Sequence, residues 1–134
     1  MTLVVDASVA AQWVLPEAQS EAANALRQTA EPIIAPDLLY AELGNAIWKR
    51  AVHGDLSAAS AVEALTAAAG AFTALVPMSE LAQRATELAI TLKHPIYDCF
   101  YLALAERARA PLISADKRLV AAGKKVKGIE VRPL

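Results

Sequence analysis

Four acidic residues interrupt apolar stretches of the chain: Asp6 in VVDAS, Glu42 in LLYAELGNAIW, Asp98 in IYDCFYLALA and Asp116 in PLISAD. A carboxylate that is removed from water is costly unless a cation shares its site. Only Asp116 has basic neighbours in the sequence. If the fold brings the four carboxylates together, their repulsion leaves two outcomes, raised pKa values or a bound divalent metal. Of these two outcomes we expect the metal.

Oxygen ligands without His or Cys select Mg²⁺ or Mn²⁺ over zinc, and such ions can activate water for in-line attack on a phosphodiester. Two hydroxyls accompany the acids, because Ser8 follows Asp6 by two residues and Ser114 precedes Asp116 by two. Each serine is expected either to support the site or to form an ordinary turn or cap hydrogen bond. Each acid alone could be a helix cap or a surface charge, but the four together favour a site.

Short apolar runs alternate with amphipathic stretches along the chain. They predict strands at 2–5, 33–35, 75–77, 112–114 and 129–131, and helices at 9–15, 17–29, 38–52, 58–72, 80–92, 97–108 and 117–122. This order predicts an α/β fold, a three-layer α/β/α sandwich with a short, mainly parallel central sheet. Asp6 and Asp116 then follow strand ends, and Glu42 and Asp98 lie near helix starts. Ligands of such folds collect at the carboxyl ends of the strands.

Length and composition predict one domain spanning residues 1–134, with enough apolar side chains, at 56% hydrophobic, to bury a core. The chain has no run of about 18 uncharged apolar residues and no signal-peptide pattern at its start, so we expect a cytoplasmic protein without a membrane span. The single cysteine, Cys99, lies in an apolar helical pattern and is expected to be a small core residue.

The net charge of −1 argues against a generic nucleic-acid binder, but the charge is unevenly distributed. From Asp116 onward there are six basic and two acidic residues, so this segment carries +4 and the rest of the chain −5. The segment is either an ordinary solvated surface or a cationic rim that binds a polyanion beside the metal.

Four motifs, VVDASVAAQWVLPE, PDLLYAELGNAIWK, HPIYDCFYLALAE and PLISADKRL, resemble in order the motifs of the PIN domain family, and most closely its VapC-type toxins of bacterial toxin-antitoxin pairs. The resemblance spans nearly the whole chain. It implies an endoribonuclease dependent on Mg²⁺ or Mn²⁺, a hydrolase, in which Asp6, Glu42, Asp98 and Asp116 are catalytic and hold one or two metal ions. Ser8 and Ser114 match the family's supporting hydroxyls.

The same resemblance implies three partners: an RNA substrate, a cognate antitoxin protein and a second copy of the chain in a homodimer. Candidate RNA contacts are the basic residues Lys117, Arg118 and Lys124. Candidates for the antitoxin groove are Trp13, Leu15 and Trp48, although an isolated Trp at helical spacing usually packs in the core. The face formed by Tyr97, Phe100, Tyr101 and Leu104 is a candidate for self-association or for tight packing inside a monomer.

Two other functions remain open at this point. The first is an RNA- or DNA-binding module of the same fold that does not cleave. The second is a phosphatase or receiver-like domain that uses Asp6 as a nucleophile. Aspartyl phosphatases usually place a second Asp two residues later, where this chain has Ser8, so the second alternative fits poorly.

Overall fold

A computed structural model describes residues 1–15 and 20–134, which form a central sheet with helices on both faces. The strands are β1 (Leu3–Val5), β2 (Ile33–Pro36), β3 (Ala74–Val76), β4 (Leu112–Ser114) and β5 (Val131–Pro133). The helices are α1 (Ala7–Val14), α2 (Glu21–Arg27), α3 (Leu39–Val52), α4 (Ala58–Gly70), α5 (Ala82–Leu92), α6 (Ile96–Ala108) and α7 (Lys117–Gly123). The predicted order of strands and helices is confirmed.

The five described strands are all parallel and lie in the order β3-β2-β1-β4-β5. The chain leaves β1 toward β2 on one side and leaves β4 toward β5 on the other. The carboxyl ends of β1 and β4 therefore flank a topological switch point, where ligand sites of open parallel sheets lie. Asp6 directly follows β1, and Asp116 is the second residue after β4.

Helices cover both faces of the sheet. Helix α1 packs against α2, α3 and α4, whereas α6 packs against β1, β2, β4 and α5. Strands covered in this way are apolar along their whole length, and Val4, Val5 and Leu112 have no exposed surface. The predicted α/β/α sandwich is confirmed.

Two helices and one strand begin later along the chain than the predicted elements. The start of the helix predicted over 17–29 lies outside the described residues, and α2 begins at Glu21, where the Ser20 hydroxyl accepts from the Ala23 N–H. Helix α5 begins two residues later than predicted because a 3-10 turn, Met78–Glu80, precedes it. Strand β5 also begins two residues late, after a turn in which Gly128 has a φ of +89°.

Two of the three residues predicted to line an antitoxin groove are in the core. Trp13 is 3% exposed, its indole N–H donates to the Ala23 carbonyl at 2.8 Å, and its ring centroid lies 5.6 Å from that of Phe72. Leu15 is also buried. Both side chains pack in the core cluster, so neither presents surface to a partner in this structure. Trp48 is 57% exposed and is the only one of the three with surface available to a partner.

The face of α6 predicted as a candidate for self-association is mostly internal. Tyr101 and Leu104 are buried, whereas Tyr97 is exposed. Tyr101 and Leu104 therefore belong to the core, which was the alternative for this face, and only Tyr97 presents a large surface.

Cys99 has no exposed surface, and burial, assisted by the charge of Asp98, raises the pKa of its thiol to about 11. The prediction that Cys99 is a small core residue is confirmed, since a thiol with this pKa is almost wholly protonated at neutral pH. No helix of the described residues is long and apolar enough to cross a membrane.

Close packing where α7 meets β5 makes Gly123 sensitive to substitution. A Cβ at Gly123 would clash with Cγ2 of Val131, whereas a Cβ at Gly44, inside α3, meets nothing within 4 Å. We expect Gly123→Ala to lower the free energy of unfolding by about 1–3 kcal/mol, and Gly44→Ala to raise it by about 0.5–1 kcal/mol. Urea denaturation of both variants measures the difference.

The double variant Gly123→Ala with Val131→Ala tests the cause. If the contact with Val131 causes the destabilisation, the double variant loses less free energy of unfolding than the sum of the losses of the two single variants. Strictly additive losses would contradict this explanation.

Candidate active site

Asp6 is the residue between β1 and α1, and it caps α1. Its Oδ1 accepts from the Val9 N–H at 3.3 Å, and the residue is only 5% exposed. Asp is among the preferred residues at this position because its side chain satisfies an N–H group that the helix leaves free. The cap holds the carboxylate at the switch point of the sheet.

Two serine hydroxyls fix the Asp6 carboxylate from opposite sides. Ser8 Oγ donates to Oδ1 at 2.6 Å, and Ser114 Oγ, at the end of β4, donates to Oδ2 at 2.5 Å. Each hydroxyl also accepts a backbone N–H from the turn between β4 and α7, Ser8 from Ala115 and Ser114 from Asp116, both at 3.0 Å. The two serines thus orient the carboxylate and tie β1 to the start of α7.

These hydrogen bonds do not replace a cation. Burial raises the pKa of the Asp6 carboxyl from its ordinary 3.8 to about 6, although the hydroxyls of Ser114 and Ser8 act in the opposite direction. Within the described residues no Lys or Arg pairs with Asp6. Its carboxylate has about four lone-pair positions, of which the three hydrogen bonds occupy three. One position on Oδ2 therefore remains for a ligand.

Two more carboxylates lie in the first turns of helices that begin at this edge of the sheet, Glu42 in α3 and Asp98 in α6. Burial raises the pKa of Glu42, and repulsion from Asp98 and Asp6 raises it further. Repulsion from Asp98 also contributes to the raised pKa of Asp6. The structure therefore brings these three predicted site residues close enough to act on one another.

Asp98 has a partner, His94. The His94 Nε2 lies 2.6 Å from Asp98 Oδ2, and both side chains are mostly buried, with 13% and 23% of their surface exposed. This contact fixes one oxygen of the Asp98 carboxylate. The sequence analysis did not predict the pair, although the separation of four residues between His94 and Asp98 was a usable signal.

Tyr101 was also missed as a site residue. Its hydroxyl is buried and forms no hydrogen bond within the described residues. The hydroxyl faces Glu42 closely enough to lower the pKa of that carboxyl, but the two groups do not meet in hydrogen-bond geometry. Burial and the charge of Glu42 raise the pKa of the phenol. The signal in the sequence was the spacing of three residues from Asp98, which puts both side chains on one face of α6.

Asp116 stands apart from the other three acids. It caps α7, with Oδ1 accepting from the Arg118 N–H at 2.9 Å, and within the part of the chain that the structure describes its link to Asp6 runs through Ser114, which bonds to both residues. The three predicted RNA contacts, Lys117, Arg118 and Lys124, are exposed on and just after α7. They therefore lie on the helix that Asp116 begins.

The side chains do not form a ready metal cage. Among residues 1–15 and 20–134, no three His, Cys, Asp or Glu side chains are grouped closely enough to hold a metal ion. The chemistry of the donors nevertheless fits a hard divalent cation, since Asp6, Glu42 and Asp98 offer only oxygen and repel one another. The Tyr101 hydroxyl, buried beside Glu42 without a partner, also indicates that the site is incomplete as it stands.

The sequence model of the PIN domain family matches residues 3–125 of this chain. The chain belongs to the PIN domain family. It is 36% identical over 121 residues to Ribonuclease VapC3 of Pyrobaculum aerophilum, an alignment that covers 89% of this chain and 92% of that protein. The resemblance stated from the sequence is thereby confirmed.

Solved structures show the same PIN fold. The crystal structure of PAE2754 from Pyrobaculum aerophilum has a TM-score of 0.70 and 25% identity, and it covers 98% of this chain and 83% of that one. VapBC2 from Rickettsia felis, solved bound to a DNA fragment from its promoter, has a TM-score of 0.74 at 11% identity and covers 100% and 99%. At 11% identity the second comparison speaks for the fold alone.

The raised pKa of Asp6 makes the stability of this PIN domain depend on pH. The unfolded state binds the proton of Asp6 less tightly than the folded state, so stability falls as pH rises from about 4 to about 6. A shift of about two units corresponds to about 3 kcal/mol. We therefore compare the free energy of unfolding of Asp6→Asn with that of the wild type, both in chelator. The difference between them should shift in favour of Asp6→Asn by about this amount as the pH rises from 4 to 7. Urea denaturation at the two pH values measures it.

The matched control for this measurement is Glu63→Gln, which removes one charge at an exposed position of α4. It should not change the pH dependence of stability between pH 4 and pH 7. If the free energy of unfolding of Asp6→Asn changed with pH as that of the wild type does, the buried Asp6 carboxylate would not destabilise the folded state at neutral pH.

Proposed function

We propose that this chain is a metal-dependent endoribonuclease, a single PIN nuclease domain over residues 1–134, and the toxin of a type II toxin-antitoxin pair. The observation that carries the proposal is the gathering of Asp6, Glu42 and Asp98 at the switch point of the sheet. The relative with 36% identity over most of both chains is named a ribonuclease. Its name supports RNA as the substrate.

The proposed cofactor is Mg²⁺ or Mn²⁺, held by Asp6, Glu42 and Asp98, with Asp116 as a further ligand once its carboxylate turns from the cap of α7. When bound, such an ion activates water and stabilises the negative charge that develops on the phosphate. It would also offset the burial and the repulsion that raise the pKa of Glu42, and Asp6 has a free lone-pair position to contribute.

The chain itself prepares the site in three ways. Ser8 and Ser114 hold the Asp6 carboxylate in one orientation, so little freedom is lost when a ligand binds. His94 does the same for one oxygen of Asp98, as groups behind metal ligands commonly do. Tyr101 offers a hydroxyl beside Glu42 that can donate to this carboxylate after a small movement.

Burial of the site also limits water. Asp6 is 5% exposed, and most of the residues that β1 and β4 place beside it are buried and apolar, Ser114 being the polar exception. Electrostatic interactions are stronger in such surroundings than in bulk water. The proposed reaction is the hydrolysis of an RNA phosphodiester, and Lys117, Arg118 and Lys124 supply positive charge for the RNA backbone beside the acids.

The proposed protein partner is an antitoxin that docks between α3 and α4. These helices border an apolar groove of about 280 Å³, lined among others by Trp48, Ala61, Val62 and Leu65. Trp48 and Val62 are exposed, and small residues allow a partner helix to approach closely. An amphipathic helix laid into such a groove is a common mode of recognition. The VapBC2 structure from Rickettsia felis, a toxin-antitoxin assembly of the same fold, supports a protein partner.

A homodimer is also part of the proposal. Of the α6 face considered for self-association, Tyr97 is the exposed member, so this residue marks where a second copy can contact α6. Light scattering of the purified chain gives the oligomeric state directly.

The alternative of a nucleic-acid-binding module without cleavage keeps one supporting observation. The Rickettsia felis complex of the same fold was solved with promoter DNA. This alternative needs no acidic cluster, and it predicts salt-dependent binding that persists when the cluster is neutralised. The cleavage experiment described next separates the two functions.

We expect purified chain, freed of any partner, to cleave RNA with Mg²⁺ or Mn²⁺ and not with chelator. Asp98→Asn should lower the cleavage rate by about 100-fold or more. Mutation of residues that merely hydrogen-bond to metal ligands already costs about 10–100-fold in activity, and a ligand should cost more. Mn²⁺ should raise the melting temperature of the wild type and leave that of Asp98→Asn unchanged. The control is Asp55→Asn, which changes an acid that pairs with Arg50 at the surface. Cleavage by Asp98→Asn at the wild-type rate would contradict the assignment.

We expect Trp48→Ser to weaken the complex with the cognate antitoxin by about tenfold or more, because large aromatic residues dominate such interfaces. The control is Ile90→Ser, which removes an even more exposed apolar side chain from α5. Titration calorimetry gives both affinities. Equal affinities for Trp48→Ser and the wild type would exclude the groove between α3 and α4 as the docking site.

A further inference from the structure

A cavity of about 490 Å³ lies between α7 and the ends of β4 and β5, and we call it the α7 pocket. Its size falls within the range of about 300–1,000 Å³ that is usual for small-molecule sites. Most of its surface is apolar, with Val120 and Ala121 on one wall and Pro133 on the other. The pocket therefore suits a flat apolar group rather than an ion.

One face of α7 forms a wall of the pocket. Lys117, Val120, Ala121 and Lys124 follow one another at the spacing i, i+3, i+4, i+7, which places them on the same side of a helix. The two lysines stand at opposite ends of this face, about 10 Å apart at a rise of 1.5 Å per residue. An occupant of the pocket thus has a cation on either side.

The two lysines are available to a ligand. Both are exposed, and within the described residues neither forms an ion pair. Several arginines of the chain are engaged instead, for example Arg84 with Glu106, Arg107 with Glu80 and Arg132 with Glu130. The ends of the α7 pocket are therefore places where the chain offers positive charge without a neighbouring acid contact.

Ser114 connects this pocket to the acidic cluster. It lines the α7 pocket, and its hydroxyl donates to Asp6 at 2.5 Å. The buried Ser114 therefore lies between the pocket and the Asp6 carboxylate. A nucleotide combines the properties required, since a flat base meets the apolar walls and its phosphates meet the cations.

We propose that the α7 pocket binds the base of a nucleotide next to the phosphate that is cleaved, with Lys117 and Lys124 contacting the phosphates on either side. This inference rests on the proposed ribonuclease function and adds the subsite that positions the RNA. The walls carry few polar groups, so the pocket holds a base through apolar contact and shape, and preference among bases is modest.

Binding in the absence of cleavage tests the subsite. In the Asp98→Asn background, a short fluorescein-labelled single-stranded RNA and the four nucleoside 5′-monophosphates serve as probes. We expect Ala121→Glu, which fills the pocket with a charged side chain, to weaken RNA binding by about tenfold or more. The matched control is Ala67→Glu, which adds the same charge at an exposed position of α4. Each nucleoside monophosphate should compete with the RNA, whereas base-free ribose 5-phosphate should not.

Salt dependence tests the lysines. For single strands, the slope of log affinity against log salt changes by about 0.7 for each phosphate contact. Lys117→Ala and Lys124→Ala should each make the slope shallower by about this amount. Lys125→Ala is the control, because it removes the same charge from the same segment but does not line the pocket. An equal effect of Lys125→Ala would overturn the assignment of Lys124.

The outcomes separate this inference from the proposed function. Wild-type chain that cleaves RNA, with a KM raised by Ala121→Glu and an unchanged kcat, supports both. If the wild type cleaves nothing but nucleotides still bind and Ala121→Glu abolishes binding, the pocket stands and the nuclease does not. If cleavage occurs and Ala121→Glu matches Ala67→Glu in RNA affinity and KM, the α7 pocket is not a base subsite. Competition by ribose 5-phosphate equal to that of the nucleotides would also overturn it.

Discussion

The buried carboxylate of Asp6 is the constraint on which the site depends. It lies where β1 ends, and its three hydrogen bonds join β1 to two other elements, the start of α1 through Val9 and Ser8 and the end of β4 through Ser114. These bonds require β1 and β4 to be neighbours in the sheet, as they are. They fix the orientation of Asp6, yet they leave its negative charge without a cation among the described residues.

The uncompensated negative charge lowers the stability of the fold, and the same charge gives the site its capacity to bind a cation. Burial and repulsion raise the pKa values of Asp6 and Glu42, so the folded chain without a ligand is less stable at neutral pH than its apolar core alone would make it. Any cation that binds the cluster reverses this effect and stabilises the fold through the same residues. A conservative change to Asn or Gln removes the cost and the binding capacity together.

Much of the fold and part of the site follow from the sequence, for physical reasons that differ between residues. The strand ends, and hence Asp6, are predicted by short apolar runs, and the first turns that carry Glu42 and Asp98 by helical periodicity. The sequence left open whether Tyr101 packs in the core or serves self-association, because α6 is apolar nearly all round and periodicity cannot say which side meets the sheet; the structure places it in the core. Trp13 and Trp48 look alike in sequence, and only the packing of α2, α3 and α4 around α1 makes one a core residue and the other a surface residue.

Helix α7 combines both signs of charge over a short distance. Its cap, Asp116, belongs to the acidic edge of the sheet, whereas Lys117 and Lys124 on the helix and just after it face an apolar cavity. A polyanion is repelled by the carboxylates and attracted by the lysines, so net charge, which is −1, says little about where it binds. Since charges in water are screened within about 10 Å at moderate salt, the lysines act locally. The position of a few cations beside the acids, rather than an overall positive charge, is therefore what can bring a phosphate backbone to this edge of the sheet.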